Sequence, residues 1–419
     1  MKKIIAMLLV LAMALSLVAC GSKTDAPAET QGAAAAPAAT EAAGPQAVTL
    51  KVWAPQADQV DETCWLPVML AKFEEAHPEY AITWDIGVCG EGDAAGIVKN
   101  DPAAAADVFL YANDQMGTLI EAGALAKLGG SYLEQVQNDV AQTYVDTVTY
   151  TDGGVYGFPM APNTWFMWYN KDIFSEEDVK NLNTMLEKGV VSFPMDNSWY
   201  TATFFFGVGG TLYGPQGIDA AAGIDFSSDL CVEAGKFMID FAKNPNFVND
   251  VDGTGVAGMK EGTIHAMFSG PWDRPALEES LGDKLGCAVL PTFTMNGTDY
   301  QMKSFASNKA IGVNPNAKNP KAAMQLAEFL VSAESLMLRY ELSGYTPAAN
   351  GATVDSATVT TLNAQMAAAT IPQPTIAQMS NFWDPVKNFG LNILNGSITH
   401  DNAAEMIAKT MELLNSTGL

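Results

Sequence analysis

Hydrophobic and polar positions change their period several times along this chain. Residues 48–54 (VTLKVWA) and 80–87 (YAITWDIG) alternate with a period of two, which is typical of β-strands. Between them, residues 65–78 (WLPVMLAKFEEAHP) carry apolar positions at helical spacing up to a final proline. A third strand is predicted at 106–114 (ADVFLYAND) and a helix at 116–128 (MGTLIEAGALAKL). Strands alternating with helices predict an α/β fold, with helices on both faces of a parallel sheet.

Shorter apolar runs and helix-end signals predict the elements of the second half. Further strands are predicted at 153–159 (GGVYGFP), 164–170 (TWFMWYN), 263–270 (TIHAMFSG) and 286–293 (GCAVLPTF). Helices are predicted at 175–188, where Ser175 and Asp178 form a capping box, at 332–344, closed by Gly344, and at 401–414.

The N-terminus has the features of an export signal. Lys2 and Lys3 precede an apolar run at 4–18, which is too short for a comfortable membrane span, and LVAC at 17–20 places small residues before Cys20. This end resembles a bacterial lipobox, which implies removal of residues 1–19 and lipidation of Cys20. Residues 20–46 are rich in Ala and Pro without large apolar side chains, so they predict a flexible tether. We therefore expect an extracytoplasmic protein anchored in the cell membrane by lipid.

Charge and missing motifs exclude several classes of function. The chain has 22 Lys and Arg against 47 Asp and Glu, a net charge of −25, which argues against nucleic acid and anionic membrane surfaces as partners. It has no phosphate-binding loop, dinucleotide fingerprint, HExxH sequence or nucleophile elbow, so we expect no cofactor. The segment 249–255 (NDVDGTG) hints at a calcium loop, but counting back from Gly253 puts Val248 at the first ligand position, where an acid is needed, so no metal site is expected.

The remaining cysteines leave the disulfide state open. Their spacing is too wide for a zinc motif, and export permits disulfides. Four cysteines allow three pairings, among which a bridge between Cys64 and Cys89 is plausible, and the candidates are Cys64, Cys89, Cys231 and Cys287.

Aromatic residues next to small polar ones indicate the kind of ligand. In GPWDRP (270–275), two prolines stiffen the backbone around Trp272, so this indole is held on a rigid turn. Tyr111, Trp199 and Trp383 also lie at predicted strand ends or turns beside Asp, Asn or Pro, whereas Trp165, Trp168 and Phe204–Phe206 are expected in the core. Ligands bind at strand ends of α/β sheets. Flat apolar rings match the C–H face of a pyranose and polar side chains bind its hydroxyls, so the pattern favours a carbohydrate.

The order of several motifs resembles that of maltose-binding proteins, which are extracellular solute-binding proteins of ABC importers. The resemblance covers about residues 47–419 and is sharpest in YNKD, SGPW, VLPTF and QMSNFW. It implies a two-lobed fold of the periplasmic-binding-protein type with the ligand cleft between the lobes. The first lobe would contain 47–161 plus 311–356 and the second 162–310 plus 357–419. The lobes would close on the ligand by hinge bending near Ala161, Ile311 and Ala357.

The resemblance also implies roles for individual side chains. Trp272 and Trp383 would stack on successive glucose rings, Trp199 and Tyr111 would add platforms, and Asp114 would accept sugar hydroxyls. Arg274 flanks the rigid turn and is a further candidate. The chain departs from the family where an arginine, an acid, a lysine and an aromatic ring are usual, with Gln115, Asn163, Asp58 and Gly253 at these positions.

These observations predict a receptor rather than an enzyme. We expect a lipid-anchored, monomeric protein that binds an oligosaccharide, with malto-oligosaccharides (α-1,4-glucans) favoured, and passes it to the permease subunits of an ABC transporter. One alternative is a receptor for a different oligosaccharide or a polyol. The others are a surface adhesin and a glycan-active enzyme. A glycosidase needs two carboxylates beside the bond, and Asp114 and Asp273 are candidates that no motif supports.

Overall fold

The structure is a computed structural model that describes residues 44–251 and 253–416, and the residues from Pro45 onward form one compact unit. The predicted signal peptide, the lipidated Cys20 and most of the tether lie outside the described residues. Asp252, in the segment 249–255 that hints at a calcium loop, also lies outside the described residues.

The fifteen strands of the described residues form two large sheets and two two-stranded sheets. They are β1 Gln46–Ala54, β2 Tyr80–Val88, β3 Val108–Ala112, β4 Phe158–Asn163, β5 Phe166–Asn170, β6 Val191–Phe193, β7 Thr211–Leu212, β8 Ile224–Asp225, β9 Phe247–Asn249, β10 Ala266–Ser269, β11 Leu285–Ala288, β12 Thr292–Met295, β13 Thr298–Gln301, β14 Ser304–Val313 and β15 Thr370–Pro372.

Helices connect and cover these strands. They are α1 Trp65–Ala76, α2 Ala94–Val98, α3 Met116–Glu121, α4 Gly130–Asp139, α5 Gln142–Asp146, α6 Leu182–Lys188, α7 Ser198–Thr201, α8 Thr203–Gly207, α9 Asp229–Lys243, α10 Thr254–Glu261, α11 Arg274–Leu281, α12 Pro320–Leu330, α13 Ala333–Ser343, α14 Ala357–Ala368, α15 Trp383–Leu394 and α16 Ala403–Leu414.

The first sheet has the order β15–β14–β3–β1–β2, and β4 also pairs with β14. β1 runs parallel to β2 and β3, whereas β14 runs antiparallel to β3 and β4. The prediction of a parallel sheet is therefore right for β1 to β3 and wrong for β14. A strand that enters the sheet from the other lobe need not follow the right-handed crossover that makes neighbours parallel.

The second sheet has the order β11–β5–β10–β6–β9. β6 is parallel to β9 and β10, while β5 is antiparallel to β10 and β11. The carboxyl ends of β6, β9 and β10 therefore meet at one edge. The turn that carries Trp272 follows β10 at this edge.

Two large apolar cores belong to the two sheets and define the lobes. The core of the first lobe draws on residues between Leu50 and Met160 and between Ala310 and Leu336. The core of the second lobe runs from Trp165 to Phe305 and from Ile376 to Leu414. The fold is thus α/β and two-lobed. The residue-by-residue lobe boundaries given above remain a prediction.

Most predicted elements appear with shifted ends. The helix expected at 175–188 is interrupted. Ser175 and Asp178 form the predicted capping box, but it begins only a 3₁₀ turn, and the extended backbone of Asn181 separates this turn from α6, which Asn181 caps. The strand expected at 286–293 is divided into β11 and β12 around Pro291. The strand expected at 153–159 begins only at Phe158.

The aromatic residues predicted in the core are buried, whereas the described cysteines are unpaired. Trp165, Trp168 and Phe204–Phe206 are buried, as expected of core residues. The four described cysteines are free thiols, so the plausible Cys64–Cys89 bridge is not formed. Within residues 44–251 and 253–416, no helix is both long and apolar enough to cross a membrane.

Candidate functional site

A cleft of about 270 Å³ lies between the two lobes. The first lobe contributes the loop after β2, the end of β3 and the turn that follows it. The second lobe contributes α7 and the start of α15. The end of β4, β14 and the segment after β15 supply the remainder. The lining residues are Glu91, Gly92, Ala112, Asp114, Gln115, Asn163, Trp199, Lys309, Gln373 and Trp383. A neighbouring opening of about 390 Å³ shares Gly92, Asp114, Gln115 and Trp383 with it, so the space continues past Trp383.

The carboxyl group of Asp114 lies on the first-lobe wall. Asp114 is buried, and Gln115 Nε2 donates to its Oδ2 at 2.9 Å. Burial raises the pKa of Asp114 to about 6, although hydrogen bonds from Gln115, the backbone and Gln373 oppose the shift. At neutral pH this group is an ionised acceptor in a poorly hydrated place, which suits a hydroxyl donor.

Four buried charges form a network behind the cleft. Arg339 donates to Asp58 Oδ1 and Oδ2 at 3.1 and 2.7 Å and to Glu91 Oε1 at 3.1 Å. Lys309 Nζ donates to the same Glu91 oxygen at 3.1 Å and to the hydroxyl of Tyr345 at 3.1 Å. Burial alone would raise the pKa of Glu91, but the charges of Lys309 and Arg339 lower it to about 2. Glu91 therefore remains an ionised acceptor in the cleft over the whole physiological pH range.

The indole of Trp199 lines the cleft on its second-lobe side, and the indole of Trp272 lies beside it. The rings of Trp199 and Trp272 lie 5.9 Å apart with planes tilted by 35°. Trp272 stands in a 3₁₀ turn at Pro271–Asp273, directly after β10, and Trp168 Nε1 fixes this turn by donating to the carbonyl of Gly270 at 3.0 Å. Tyr345 lies 6.5 Å from the Trp272 ring on another side. Trp272 thus stands at a strand end in a turn that Pro271 and the Trp168–Gly270 hydrogen bond hold in place, as its flanking prolines predict.

Trp383 occupies the first position of α15, at the mouth of the cleft. Its ring packs edge-on against Phe382 at 5.1 Å and Phe305 at 6.1 Å, which restricts its rotation. The residue is partly buried and lines both the cleft and the neighbouring opening. Trp199 and Trp383 therefore both present indoles to the same cavity.

Three of the predicted ligand residues lie elsewhere. Tyr111 is fully buried, and its hydroxyl donates to the carbonyl of Tyr156 at 3.0 Å, because β3 is covered on both faces. Asp58 is buried in its ion pair with Arg339. Arg274 begins α11 and stacks over the Tyr340 ring at 4.5 Å. The structure thus gives each of the three a packing or ion-pair partner instead of a place in the cleft.

The structure brings the other candidates together. Asp114, Gln115, Asn163, Trp199 and Trp383 line the cleft, and Trp272 stands beside Trp199 without lining the cavity itself. The loop containing Gly253 is not among the lining residues.

Sequence reasoning missed Glu91, Lys309, Gln373 and Tyr345. One signal was available, because Lys309 interrupts the otherwise buried strand SFASNKAIGV, and a lysine in such a strand needs a partner. In the part of the chain that the structure describes, no group of three His, Cys, Asp or Glu side chains is placed to hold a metal ion.

A two-lobed α/β fold, with a cleft lined by aromatic and hydrogen-bonding side chains from both lobes, defines a binding protein that encloses a small solute. The profile of the bacterial extracellular solute-binding protein family matches residues 68–368. The chain belongs to this family. Members of this family bind solutes rather than transform them, so the prediction that the chain is not an enzyme is confirmed.

Similar proteins come from several organisms. A maltooligosaccharide ABC transporter solute-binding lipoprotein of Streptococcus pneumoniae is 28% identical over 93% of this chain and 92% of its own length. A galactooligosaccharide-binding protein of Bacillus subtilis is 25% identical over 98% of this chain and 96% of its own. The predicted resemblance to maltodextrin-binding proteins is thereby confirmed.

Solved structures agree with the fold. One described as a complex with acarbose is 40% identical, with a TM-score of 0.83, over 88% of this chain and 98% of its own. A maltodextrin-binding protein from L. casei BL23, solved without ligand, is 26% identical with a TM-score of 0.76, over 88% of this chain and 100% of its own.

Proposed function

We propose that this protein is a lipid-anchored receptor that binds malto-oligosaccharides outside the cytoplasmic membrane and delivers them to the permease of an ABC importer. The observation that carries the proposal is the placement of Trp199, Trp383 and Asp114 around one cleft, with Trp272 beside Trp199. Indole faces pack against the C–H face of glucose rings, while ionised and amide side chains bind hydroxyls. The names of the similar proteins from Streptococcus pneumoniae and L. casei support the same ligand class.

The charge of the cleft favours a neutral, polyhydroxylated ligand. Glu91 is neutralised by Lys309 and Arg339, and Asp114 has only amide partners among its side-chain contacts. An anionic sugar would meet the uncompensated carboxylate of Asp114. Within the 270 Å³ cavity a cationic sugar would be attracted by Asp114 alone, because Glu91, the other acid of its lining, is already paired.

Binding would close the lobes around the sugar. The chain crosses between the cores at β4–β5 and within β14, whose first residues pair with β15 and whose last pair with β3. We expect hinge bending near Ala161, Ile311 and Ala357, with the lobe boundaries at 161, 310 and 356. Small-angle scattering should show a smaller radius of gyration with saturating ligand, and an unchanged radius would argue against closure.

Calorimetric titration of the purified protein tests the ligand class. Maltotriose and maltotetraose should bind, whereas cellotriose, which has the same glucose units in β-linkage, should bind far more weakly. The Trp84→Ala variant, which loses an indole away from the cleft lining, serves as the matched protein control and should bind as the wild type does. Absence of binding to every α-1,4-glucan would refute the proposal.

A second candidate ligand is a galacto-oligosaccharide. It is favoured by the similarity, over 98% of this chain, to the galactooligosaccharide-binding protein of Bacillus subtilis. Asn163 and Gln115 replace charged residues that are usual in maltose-binding proteins. Both line the cleft, so they would change its hydrogen bonds to the sugar and with them the preferred sugar. Including β-1,4-galactotriose in the same titration distinguishes the two, because only the preferred sugar will bind tightly.

A further inference from the structure

A second cavity lies on the other side of the strands that join the lobes, and we call it the rear cavity. Its volume is about 420 Å³, which is within the range of small-molecule sites. Ala306 of β14 lines the rear cavity, whereas Lys309 of the same strand lines the cleft. Side chains an odd number of positions apart on a strand point to opposite faces, so the two openings lie on opposite faces of β14.

The walls of the rear cavity come from both lobes. Residues 143–150, in α5 and the turn after it, form one wall, and Val145 and Val148 of this segment belong to the core of the first lobe. Ile218 lies on the other wall, in the loop between β7 and β8 of the second lobe. The ring of Tyr150 packs against the cores of both lobes. The rear cavity is therefore a second opening between the lobes and not a fissure within one of them.

Hydroxyl and amide groups dominate the lining of the rear cavity. The hydroxyl groups belong to Thr143, Thr147, Thr149, Tyr150 and Thr375. The most buried members are neutral, since Asn113 is 1% exposed and Thr375 is 6% exposed. The one acid of the lining, Asp146, is exposed to solvent, and none of the described residues that line the cavity is Lys, Arg or His. The interior of the rear cavity thus suits an uncharged ligand.

The threonines of the first-lobe wall can accept hydrogen bonds. Thr147 donates its hydroxyl proton to the carbonyl of Tyr144 at 2.6 Å, and Thr149 donates its own to the carbonyl of Val145 at 2.8 Å. A hydroxyl that has donated its proton still has a lone pair to offer. Both side chains line the rear cavity, so they suit a ligand that carries O–H groups.

Two buried polar groups of the lining have hydrogen-bonding capacity that the described residues do not use. The hydroxyl of Thr375 is buried without a hydrogen-bond partner among them. Asn113 Oδ1 accepts from the backbone N–H of Asn308 at 3.3 Å, but Asn113 Nδ2 donates to no described residue. Buried polar groups without partners are uncommon in native proteins. A ligand with both donors and acceptors would satisfy them.

We propose that the rear cavity is a second ligand site, which binds a small, neutral, polyhydroxylated molecule such as a monosaccharide. Hydroxyl groups donate and accept, so they match the acceptors of the first-lobe wall and the unused donor of Asn113. Ile218, Pro372 and the ring of Tyr150 supply an apolar surface for the C–H face of a sugar. An anionic sugar would meet Asp146 with no cation in the lining to compensate it.

The rear cavity and the cleft share the strands that join the lobes, and Gln373 lines both. Hinge bending would change the width of both openings, so occupancy of one would change the affinity of the other by thermodynamic linkage. This linkage rests on the proposed function, whereas the rear site itself does not. The test of the rear site is therefore made without any glucan.

Threonine methyl groups report on the rear cavity, since four of its lining residues are threonines and the residues that line the cleft include none. The protein, labelled with ¹³C in these methyl groups, is titrated with glucose and followed by NMR. The resonances of Thr147, Thr149 and Thr375 should shift together, with a dissociation constant of about 1 mM, as befits a ligand of few atoms. Glucuronate should bind about tenfold more weakly, because its carboxylate meets Asp146. No shift with glucose, or equal affinity for glucuronate, would overturn the proposal.

Three variants locate the binding. Ile218→Trp places a larger side chain at the rear cavity, and Ile173→Trp is the same substitution at another exposed isoleucine of the second lobe, which lines neither opening. The glucose-induced shifts should be lost in Ile218→Trp and kept in Ile173→Trp, and any other pattern would overturn the proposal. They should also persist in Trp383→Ala, whose cleft lacks an indole. Their loss in that variant would mean that glucose binds only in the cleft, which would overturn the rear site.

The outcome for the rear cavity is separable from that for the cleft. A wild type that shows the threonine shifts with glucose but binds no α-1,4-glucan would support the rear site while refuting the proposed function. A wild type that binds maltotriose but shows no such shifts would refute the rear site alone.

Discussion

The guanidinium of Arg339 donates hydrogen bonds to both carboxylate oxygens of Asp58, at 3.1 and 2.7 Å, although the two residues are 281 positions apart. Both side chains are almost completely buried. Loss of one partner leaves an uncompensated charge in the interior, which costs about 3–5 kcal/mol. We expect Asp58→Asn to lower the free energy of unfolding at the lower end of this range, because Glu91 still pairs with Arg339.

Urea denaturation at neutral pH measures this loss. The control is Glu405→Gln, which breaks the exposed pair between Glu405 and Lys409 on α16 and should cost less than about 1 kcal/mol. Equal effects of the two substitutions would mean that the Arg339–Asp58 pair contributes no more than a surface contact.

The second prediction concerns the indoles of the cleft. Trp383→Ala and Trp199→Ala should each weaken maltotriose binding by about 1–3 kcal/mol, as truncation of a buried aromatic contact does. Trp272→Ala should do so as well, because its ring supports that of Trp199. Calorimetry measures the dissociation constants.

Two controls separate stacking from general damage. Trp84→Ala removes an indole that packs on Phe73 in the first lobe, away from the cleft lining, and Tyr111→Phe removes a buried hydroxyl. Both should leave the dissociation constant unchanged. A loss of affinity in Tyr111→Phe equal to that in Trp383→Ala would restore Tyr111 as a ligand residue.

The third prediction is a conflict between stability and binding at Asp114. Its pKa rises from an ordinary 3.8 to about 6 in the folded protein because burial penalises the charge. The folded state binds this proton more tightly than the unfolded state, so the favourable contribution exists at low pH and is lost as pH rises through 6. Asp114→Asn should therefore stabilise the ligand-free protein at pH 7.5, by about 1–3 kcal/mol, and have little effect at pH 3 to 4.

The same substitution should weaken sugar binding at pH 7.5, because the ionised acceptor is gone. In the wild type, affinity should fall as pH is lowered through about 6, and in Asp114→Asn it should not. Thermal unfolding and calorimetry over this pH range measure the two effects. An Asn variant that is less stable at pH 7.5 than the wild type would contradict the burial argument.

The fourth prediction concerns the length of the sugar. The cleft continues past Trp383 into a second opening, and Gln115 and Asn163 replace charged groups that would grip one end of a disaccharide. Affinity should therefore depend on the number of stacked rings. Maltotriose or longer α-1,4-glucans should bind at least ~10-fold tighter than maltose, about 1.4 kcal/mol for one more stacked ring. Equal dissociation constants for maltose, maltotriose and maltotetraose would refute this dependence.

The fifth prediction concerns location. Cys20→Ala should remove the site of lipidation, so the protein should appear in the soluble fraction or remain unprocessed. Fractionation of cells followed by immunoblotting measures this, with Cys64→Ala as a control that keeps the lipobox. Unchanged membrane association of Cys20→Ala would exclude the lipid anchor.

Local patterns in the sequence were enough for the regular elements of the first lobe. Buried and exposed residues alternate along β1, and α1 has its one proline, Pro67, in the first turn, where a proline is tolerated, so both elements appear close to their predicted bounds. The strand order was less accessible, since β14 joins the first sheet from 304 onward and pairs with strands about 150 to 200 residues earlier. Such pairing depends on the crossings between lobes, which no local period records.

The site residues also differ in whether a local pattern or only the fold indicates their position. The local setting of Trp272 could be predicted, because two prolines make its turn rigid in any context, and the turn lies at the end of a strand; its role in binding stays a prediction. Tyr111 was misplaced because every residue of β3 is buried, so alternation along this strand does not separate a cleft face from a core face. Gln373 carried no signal, since only the fold brings it beside Trp199 and into the cleft that Asp114 also lines.

The short distance between Trp199 and Trp272 also gives the cleft region a distinctive ultraviolet circular dichroism signal. Two indoles whose centroids lie 5.9 Å apart at an angle of 35° share their electronic excitation, and such pairs produce paired bands of opposite sign in ultraviolet circular dichroism. A sugar that moves either ring changes the separation or the angle and with it the intensity of these bands. The protein therefore contains its own spectroscopic reporter of occupancy, which needs no dye and no added label.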